Sequence, residues 1–202
     1  MTEQFGDKDK WNSRYRVAGD DKSSINSSAP QVSRVLTENS HLLPEEGVAL
    51  DLACGLGANA LFLAKQGLTT HAWDISDVAI TALQDAVRSM TLQINSEVRD
   101  VILKPPLANS FDTIVVCRFL DRRLTGSLVD ALKPGGMIFY QTFSVDKMSG
   151  VGPGNPDYLL KPNELLQMFR SLVLRVYREE GLEGNVEQGF RNEVMLVAQK
   201  AR

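Results

Sequence analysis

Leu50-Asp51-Leu52-Ala53-Cys54-Gly55-Leu56-Gly57-Ala58-Asn59-Ala60 is the stretch that decides how this chain folds. Its first half, with Val48 and Ala49 before it, is a short apolar run of the kind a parallel strand buried on both faces requires. Its second half opens a helix from Ala58 to Gln66, with Leu61, Phe62 and Ala64 turned inward and Gly67 as the C-terminal cap. Between the two, Gly55 and Gly57 make a turn whose backbone a ligand can approach closely, because no side chain stands in the way. The first amides of the helix are donors without intrahelical partners. Gly55-x-Gly57-x-x-Ala60 also satisfies the dinucleotide-binding pattern, so the loop alone does not name its ligand.

Working outward, the same alternation repeats. Residues 69–74 read as a second strand, 77–90 as a helix with Val78, Ile80, Ala82, Leu83 and Val87 inward, and 92–99 as a third strand. Phe111 to Cys117 is a fourth strand, Leu120 to Leu132 a helix stopping at Lys133-Pro134-Gly135-Gly136, and Met137 to Phe143 a fifth strand. Strands alternating with helices predict an open α/β sheet. Upstream, Pro30 in a first turn followed by Val32, Val35, Leu36, Leu42 and Leu43 reads as an amphipathic helix ended by Pro44. The last third differs. A helix from Pro162 to Phe169 precedes two strand-like stretches, 171–180 and 190–199, which their closeness predicts to be antiparallel neighbours.

Composition narrows the function classes. The chain has 202 residues, 43% of them hydrophobic, with 22 basic and 25 acidic residues and a net charge of −3. That length suits one domain, residues 30–202, with an N-terminal appendage over 1–29. No polybasic face is implied, which disfavours nucleic acid or an anionic membrane as partner. Two cysteines, Cys54 and Cys117, are too few for a disulfide or zinc framework and fit a reducing, cytoplasmic setting. No apolar targeting segment or membrane-length apolar run is present, so neither secretion nor membrane spanning is expected. The oligomeric state is left open. The appendage is polar through 20–28, but Lys10-Trp11-Asn12-Ser13-Arg14-Tyr15 sets two rings four residues apart on a helix. That patch reads either as a docked helix or as a lid that orders over a ligand.

Three acids sit at the ends of three successive strands. Asp51 precedes the glycine turn, where a carboxylate suits a cationic amino group and repels a pyrophosphate. Asp74, in Ala72-Trp73-Asp74-Ile75-Ser76, is placed to accept hydrogen bonds from the two hydroxyls of a ribose. Asp100 in Val98-Arg99-Asp100-Val101 is followed by an apolar side chain, suiting an adenine amino group and ring face. Together they describe a pocket for a nucleoside bearing an amino-acid tail.

On these residues the chain resembles the class I S-adenosylmethionine-dependent methyltransferases. Leu50 to Gly67 is similar to their first motif, Asp74 to their ribose-binding acid, Phe111 to Val116 to their strand-four motif, and Leu132-Lys133-Pro134-Gly135-Gly136-Met137-Ile138 to their turn into strand five. The resemblance implies a doubly wound, seven-stranded, mostly parallel sheet with the last strand antiparallel. It implies S-adenosylmethionine as cofactor, held by Trp11, Arg14, Asp51, Ala53, Gly55, Gly57, Asn59, Asp74, Ile75, Asp100, Val101 and Cys117, with no metal. A narrower resemblance, to the tellurite-resistance methyltransferase group, rests on Trp11-Asn12-x-Arg14-Tyr15, on Asp51 to Ala60, on Asn155 to Leu166 and on Arg191 to Lys200.

Methyl transfer from a sulfonium needs alignment and exclusion of water, and a base only where the nucleophile carries a proton. His41 precedes the first strand and His71 lies inside the second, and both read as structural. The exit of strand four, Cys117-Arg118-Phe119-Leu120-Asp121-Arg122-Arg123, is rich in arginine and has no amine-methylating Asn/Asp-Pro-Pro-Tyr signature. Arg118, Arg191 and Tyr15 are therefore the catalytic candidates, with Arg14 a further anion holder, since a guanidinium fork matches oxyanion geometry. The expected acceptor is a small molecule, an anionic soft nucleophile such as a chalcogen oxyanion or a thiol. Competing readings are a nicotinamide-dependent oxidoreductase, a nucleic-acid or protein methyltransferase, and a cofactor-binding partner protein without catalysis.

Overall fold

The computed structural model describes residues 3–20, 31–88, 90 and 92–202. Seven strands form one sheet: β1 (Val48–Leu52), β2 (Thr69–Asp74), β3 (Ile94–Val98), β4 (Phe111–Cys117), β5 (Leu132–Phe143), β6 (Val173–Arg178) and β7 (Glu193–Gln199). Their order is β3-β2-β1-β4-β5-β7-β6. The first five are parallel, and β7 runs antiparallel to both β5 and β6, as the closeness of the two late strands predicts. Among the described residues six α-helices accompany them: α1 (Glu3–Asp20), α2 (Arg34–Thr37), α3 (Ala58–Lys65), α4 (Asp77–Arg88), α5 (Thr125–Ala131) and α6 (Glu164–Met168). No described helix is long and apolar enough to cross a membrane.

The chain reverses its winding between β1 and β4, which places a crevice at the carboxyl ends of these central strands. Both strands are buried on both faces: Leu50, Leu52, Ile114 and Val116 join one core layer and Ala49 and Val115 the other. At the opposite end of the sheet, Asp112 accepts from Val48 N (2.8 Å) and pairs with Lys133 (2.6 Å), tying together the starts of β1, β4 and β5.

Several local expectations are corrected. The amphipathic helix expected before Pro44 is two short pieces, α2 and a 3-10 turn at Ser40–Leu42, because the Asn39 side chain donates to Val35 O (3.0 Å) and caps α2 early. Pro30 and the polar 21–28 stretch lie outside the described residues. In α3 the fully buried positions are Asn59, Ala60 and Leu63, while Leu61, Phe62 and Ala64 are half-buried. Ala82 of α4 faces solvent, and Ala79 takes its place in the core with Ile80 and Leu83. The helix ends at Ala131, just before Lys133 to Gly136, as expected, but that segment is not a separate loop. It belongs to β5, which starts at Leu132 opposite Phe111 and shifts register before Met137 pairs with Thr113. The helix before it is only α5, preceded by a 3-10 turn at Arg122–Leu124. His41 lies in the first 3-10 turn, and His71 packs edge-on between the Trp73 and Phe111 rings.

Candidate functional site

The glycine turn is built by its own hydrogen bonds. Cys54 N donates to Trp73 O (3.0 Å) and Gly57 N to Cys54 O (2.9 Å), which folds the loop back over the end of β2. Gly55 and Gly57 both have positive φ, +52° and +80°. The second also has no room for a side chain, since a Cβ there would lie 2.4 Å from Leu83 Cδ1 of α4. Above Gly55 a Cβ would meet the Tyr15 hydroxyl at 2.9 Å, so α1 reaches over the loop.

Asp74 closes β2 with its carboxylate divided between two loops: Oδ2 accepts from Gly55 N (2.8 Å) and Oδ1 from Ser76 N (2.9 Å). Burial raises its pKa, opposed by these two amides. Ser76 caps α4, accepting from Ala79 N (3.1 Å) while its hydroxyl donates to Asn12 Oδ1 (2.6 Å). Lys8 adds an ion pair to Asp77 (2.8 Å), so α1 docks on the first turn of α4. Asp100 accepts from Ile102 N and Leu103 N and shapes the turn that follows β3.

These elements enclose a cleft of about 830 Å³ at the carboxyl end of the sheet. Of the residues singled out in the sequence, Ala53, Gly55, Gly57, Asn59, Asp74 and Ile75 line it from the first two strands. Asp100 and Val101 line it from beyond β3, Cys117 and Arg118 from the end of β4, and Trp11, Arg14 and Tyr15 from α1. Two are not brought there. Asp51 is 1% exposed and turned beneath the loop, where its Oδ2 accepts from Ala60 N (2.9 Å). Burial pushes its pKa up to about 7, against the Ala60 and Asn59 hydrogen bonds. Arg191 lies outside the cleft with its guanidinium bound to the carbonyls of Glu180, Gly181, Asn185 and Gln188, organising the turn between β6 and β7.

The far side of the cleft carries Phe119 and Arg123 from the strand-four exit and Lys10 from α1, all within stretches quoted above, together with Phe143 at the end of β5 and Tyr158 in a 3-10 turn at Pro156–Tyr158. Lys10 stands over the Tyr158 ring at 5.4 Å, so α1 touches both walls. Gly152 passes so close to the Phe143 ring that a Cβ would lie 2.5 Å from it. Arg122, next to Arg123, instead clamps Glu164 and the carbonyls of Asp157 and Leu159. The Arg118 guanidinium sits 5.7 Å from the Phe143 ring centre and pairs through Nε with Glu193 (2.8 Å). Glu193 falls within the Arg191 to Lys200 stretch quoted above but is given no role there. Its sequence signal is a charged residue opening an otherwise apolar strand, Glu193-Val194-Met195-Leu196-Val197-Ala198.

Proton-transfer groups are scarce here. Burial and the nearby Glu193 push the Cys117 thiol up to about 12, and burial with the Asp74 charge raises the Tyr15 hydroxyl, so both hold their protons at neutral pH. Asp121 is held below the ordinary carboxylate range by Arg123, which makes it a weak base. No histidine lines the cleft among the described residues, and no group of potential metal ligands is found among them.

Residues 49–136, which carry the glycine turn after β1 and the acid closing β2, match the family model described as a methyltransferase domain. The methyl donor that the name of one relative gives is S-adenosylmethionine. Among named relatives, the chain is 28% identical over 153 residues to the ubiquinone biosynthesis O-methyltransferase of Coxiella burnetii, covering 66% of this chain and 65% of that one. It is 26% identical over 161 residues to the probable S-adenosyl-L-methionine-dependent methyltransferase TehB of Haemophilus influenzae, covering 76% of this chain and 56% of that one. The crystal structure of Haemophilus influenzae TehB superposes with a TM-score of 0.68 at 22% identity, covering 91% of this chain and 67% of that one. The chain thus spans somewhat less than two thirds of the length of the curated relatives it matches.

The residues present fit such a donor. Gly55 lines the cleft floor without a side chain, Asp74 stands at the end of β2 with its oxygens fixed by amides, and Ile75 and Val101 offer apolar surface beside it. The volume falls in the upper part of the roughly 300–1,000 Å³ range of organic ligand sites, leaving space for a second small molecule.

Proposed function

We propose that this protein is an S-adenosylmethionine-dependent methyltransferase whose acceptor is a small, anionic, soft nucleophile, a thiol or a chalcogen oxyanion. The observation that supports this reading is the pairing of a half-open arginine, Arg118, with a cleft poor in bases. When bound, the donor supplies an electrophilic methyl on a sulfonium. Asp74 would hold the ribose hydroxyls, Gly55 the adjoining chain, and Ile75 and Val101 the base. Asp51, buried beneath the loop, would favour a cationic tail through its charge rather than by contact. Arg118, with Arg14 across the cleft, would hold the acceptor's negative charge, and α1 with Trp11 and Tyr15 would act as a lid that excludes water. An acceptor ionised at neutral pH needs no base, and none is required of Cys117 or Tyr15. Arg191 supports the β6–β7 turn and has no catalytic part in this reading. The net charge of −3 favours a free small molecule over nucleic acid, and two unpaired cysteines favour the cytoplasm.

The relative that methylates oxygen in ubiquinone biosynthesis supports a second reading, a phenolic acceptor. Calorimetry with S-adenosylhomocysteine and with NADH tests the donor. Micromolar binding of the former, weakened at least about tenfold by Asp74→Ala, is expected, and none of the latter. Binding of NADH alone would overturn the donor assignment. Methyl transfer to benzenethiol or selenite but not to catechol supports the soft anion, and transfer to catechol alone replaces it with the phenolic acceptor.

A further inference from the structure

Glu193 opens β7 with a carboxylate that is 8% exposed, yet it lies beside the cleft and pairs with the arginine assigned to the acceptor. A buried acid is retained only where its oxygens are satisfied. Here they are satisfied from two sides. Oε1 accepts from Arg118 Nε (2.8 Å), and Oε2 accepts from Gln141 Nε2 of β5 in a short hydrogen bond. Gln141 cannot turn its amide round, because its Oε1 accepts from Val35 N of α2 (2.7 Å). The chain of bonds therefore has a direction. Donors approach from Val35 at one end and from Arg118 at the other, and the carboxylate receives both.

Arg118 needs such a partner. Its backbone is left-handed, with φ of +53°, an unusual conformation for a residue with a side chain. Its backbone N donates to Gln141 O (2.8 Å), so strand β5 holds both ends of the network. Among the described residues, only Nε of the guanidinium makes a hydrogen bond. Nη1 and Nη2 have no hydrogen-bond partner among the described residues, and the side chain is 64% exposed where it lines the cleft. Other arginines nearby are committed elsewhere, Arg122 to Glu164 and two carbonyls, and Arg123 to Asp121.

We infer that Glu193 is a positioning residue for the acceptor: with Gln141 and Val35 N it fixes the Arg118 guanidinium by Nε, so that its two terminal nitrogens face the cleft as a fork for the acceptor's anionic group. The inference rests on the acceptor reading above. It excludes Glu193 from proton transfer, since both of its oxygens are occupied and it does not line the cleft.

The directionality supplies the test. Glu193→Gln places an NH₂ against either Gln141 Nε2 or Arg118 Nε, a donor against a donor. The exchange Gln141→Glu with Glu193→Gln restores every bond in order. The carboxylate, now at position 141, accepts from Val35 N and from the new amide at position 193, whose oxygen in turn accepts from Arg118 Nε. In ¹⁵N-labelled protein the Arg118 Nε–H signal, assigned by its loss in Arg118→Lys, is expected to broaden in Glu193→Gln and to return in the exchanged pair. Selenite titrated in the presence of S-adenosylhomocysteine is expected to shift that signal, with affinity about tenfold weaker in Glu193→Gln and within about threefold of the parent in the exchanged pair. S-adenosylhomocysteine affinity stays unchanged in all three, which separates positioning from loss of fold. An Arg118 signal unaltered in Glu193→Gln, a folded exchanged pair without the signal, or no response of the parent signal to selenite would overturn the inference. Should Glu193→Gln fail to fold, the exchanged pair alone decides. Loss of S-adenosylhomocysteine binding by the parent protein would strike the proposed function and leave the positioning result standing.

Discussion

Replacing Gly57 with alanine should destabilise the protein by about 2–5 kcal/mol, and the structure says where that energy goes. A non-glycine residue at φ +80° costs about 1–2 kcal/mol. The new methyl would sit 2.4 Å from Leu83 Cδ1 and 2.8 Å from Cδ2, and Leu83 is fully buried, so overpacking adds about 1–3 kcal/mol. Leu83→Ala alone should cost about 2–5 kcal/mol by leaving a cavity. In the double variant the alanine methyl at 57 points into the space that the leucine vacates. The clash is gone and the cavity partly refilled, so the combined loss should fall short of the sum by about 1–3 kcal/mol. Equilibrium urea unfolding of the four proteins, read as midpoints at constant m-value, measures this directly. Additivity within about 0.5 kcal/mol would refute the claim that Gly57 is there to let α4 pack against the loop.

Three further outcomes are expected. Asp51 has its folded pKa raised from 3.8 to about 7 by burial, so the folded state holds a proton that the unfolded state has released; stability should fall as pH rises from about 4 to 7 and level off above, and Asp51→Asn should flatten that slope in urea titrations run across the window. An unchanged slope would mean that Asp51 ionises normally. Asn12→Ala removes a buried hydrogen bond to Ser76 worth about 1 kcal/mol, so tryptic cleavage after Lys10 and Arg14 should accelerate several-fold, and an unaltered rate would show that α1 is held by other contacts. Cys117 and Cys54 both have thiols raised by burial, so iodoacetamide at pH 8 should label the native protein far more slowly than the unfolded one; rapid labelling of Cys117 would point to a reactive thiolate.

The platform was legible in the sequence because its signals are local. Short apolar runs, a glycine turn and an acid at a strand end each fix their own backbone, and β1, β2, β4 and the antiparallel β7 lie where those patterns put them. The far wall of the cleft was legible only in part: the strand-four exit with Phe119 could be read, but Phe143, Tyr158 and Glu193 come from separate segments that only the folded sheet brings beside it. Arg191 shows the converse. Its type suited an anion, but nearby backbone carbonyls claim it, a fate that composition does not encode. The segment Lys133 to Gly136 was legible in part: proline and glycine mark the end of a helix, but the same residues open β5, where Gly136 lets the strand pass close to the Phe111 and Asp112 carbonyls as it shifts register.

The docking of α1, the glycine loop and α4 on one another also bears on how such a chain can change over generations. Asn12 bonds Ser76, Ser76 caps the helix that carries Leu83, and Leu83 fills the space over Gly57. Drift at any one of these four positions is tolerated only with compensation at another, so they should vary together or not at all. The loop across the cleft is less tightly bound. Gly152 is held against the Phe143 ring, but at Gly154 an added side chain would meet open space, and new residues can be tried there without disturbing the floor. A constrained floor beneath a wall free to diverge is a route by which one ancestral platform acquires many acceptors.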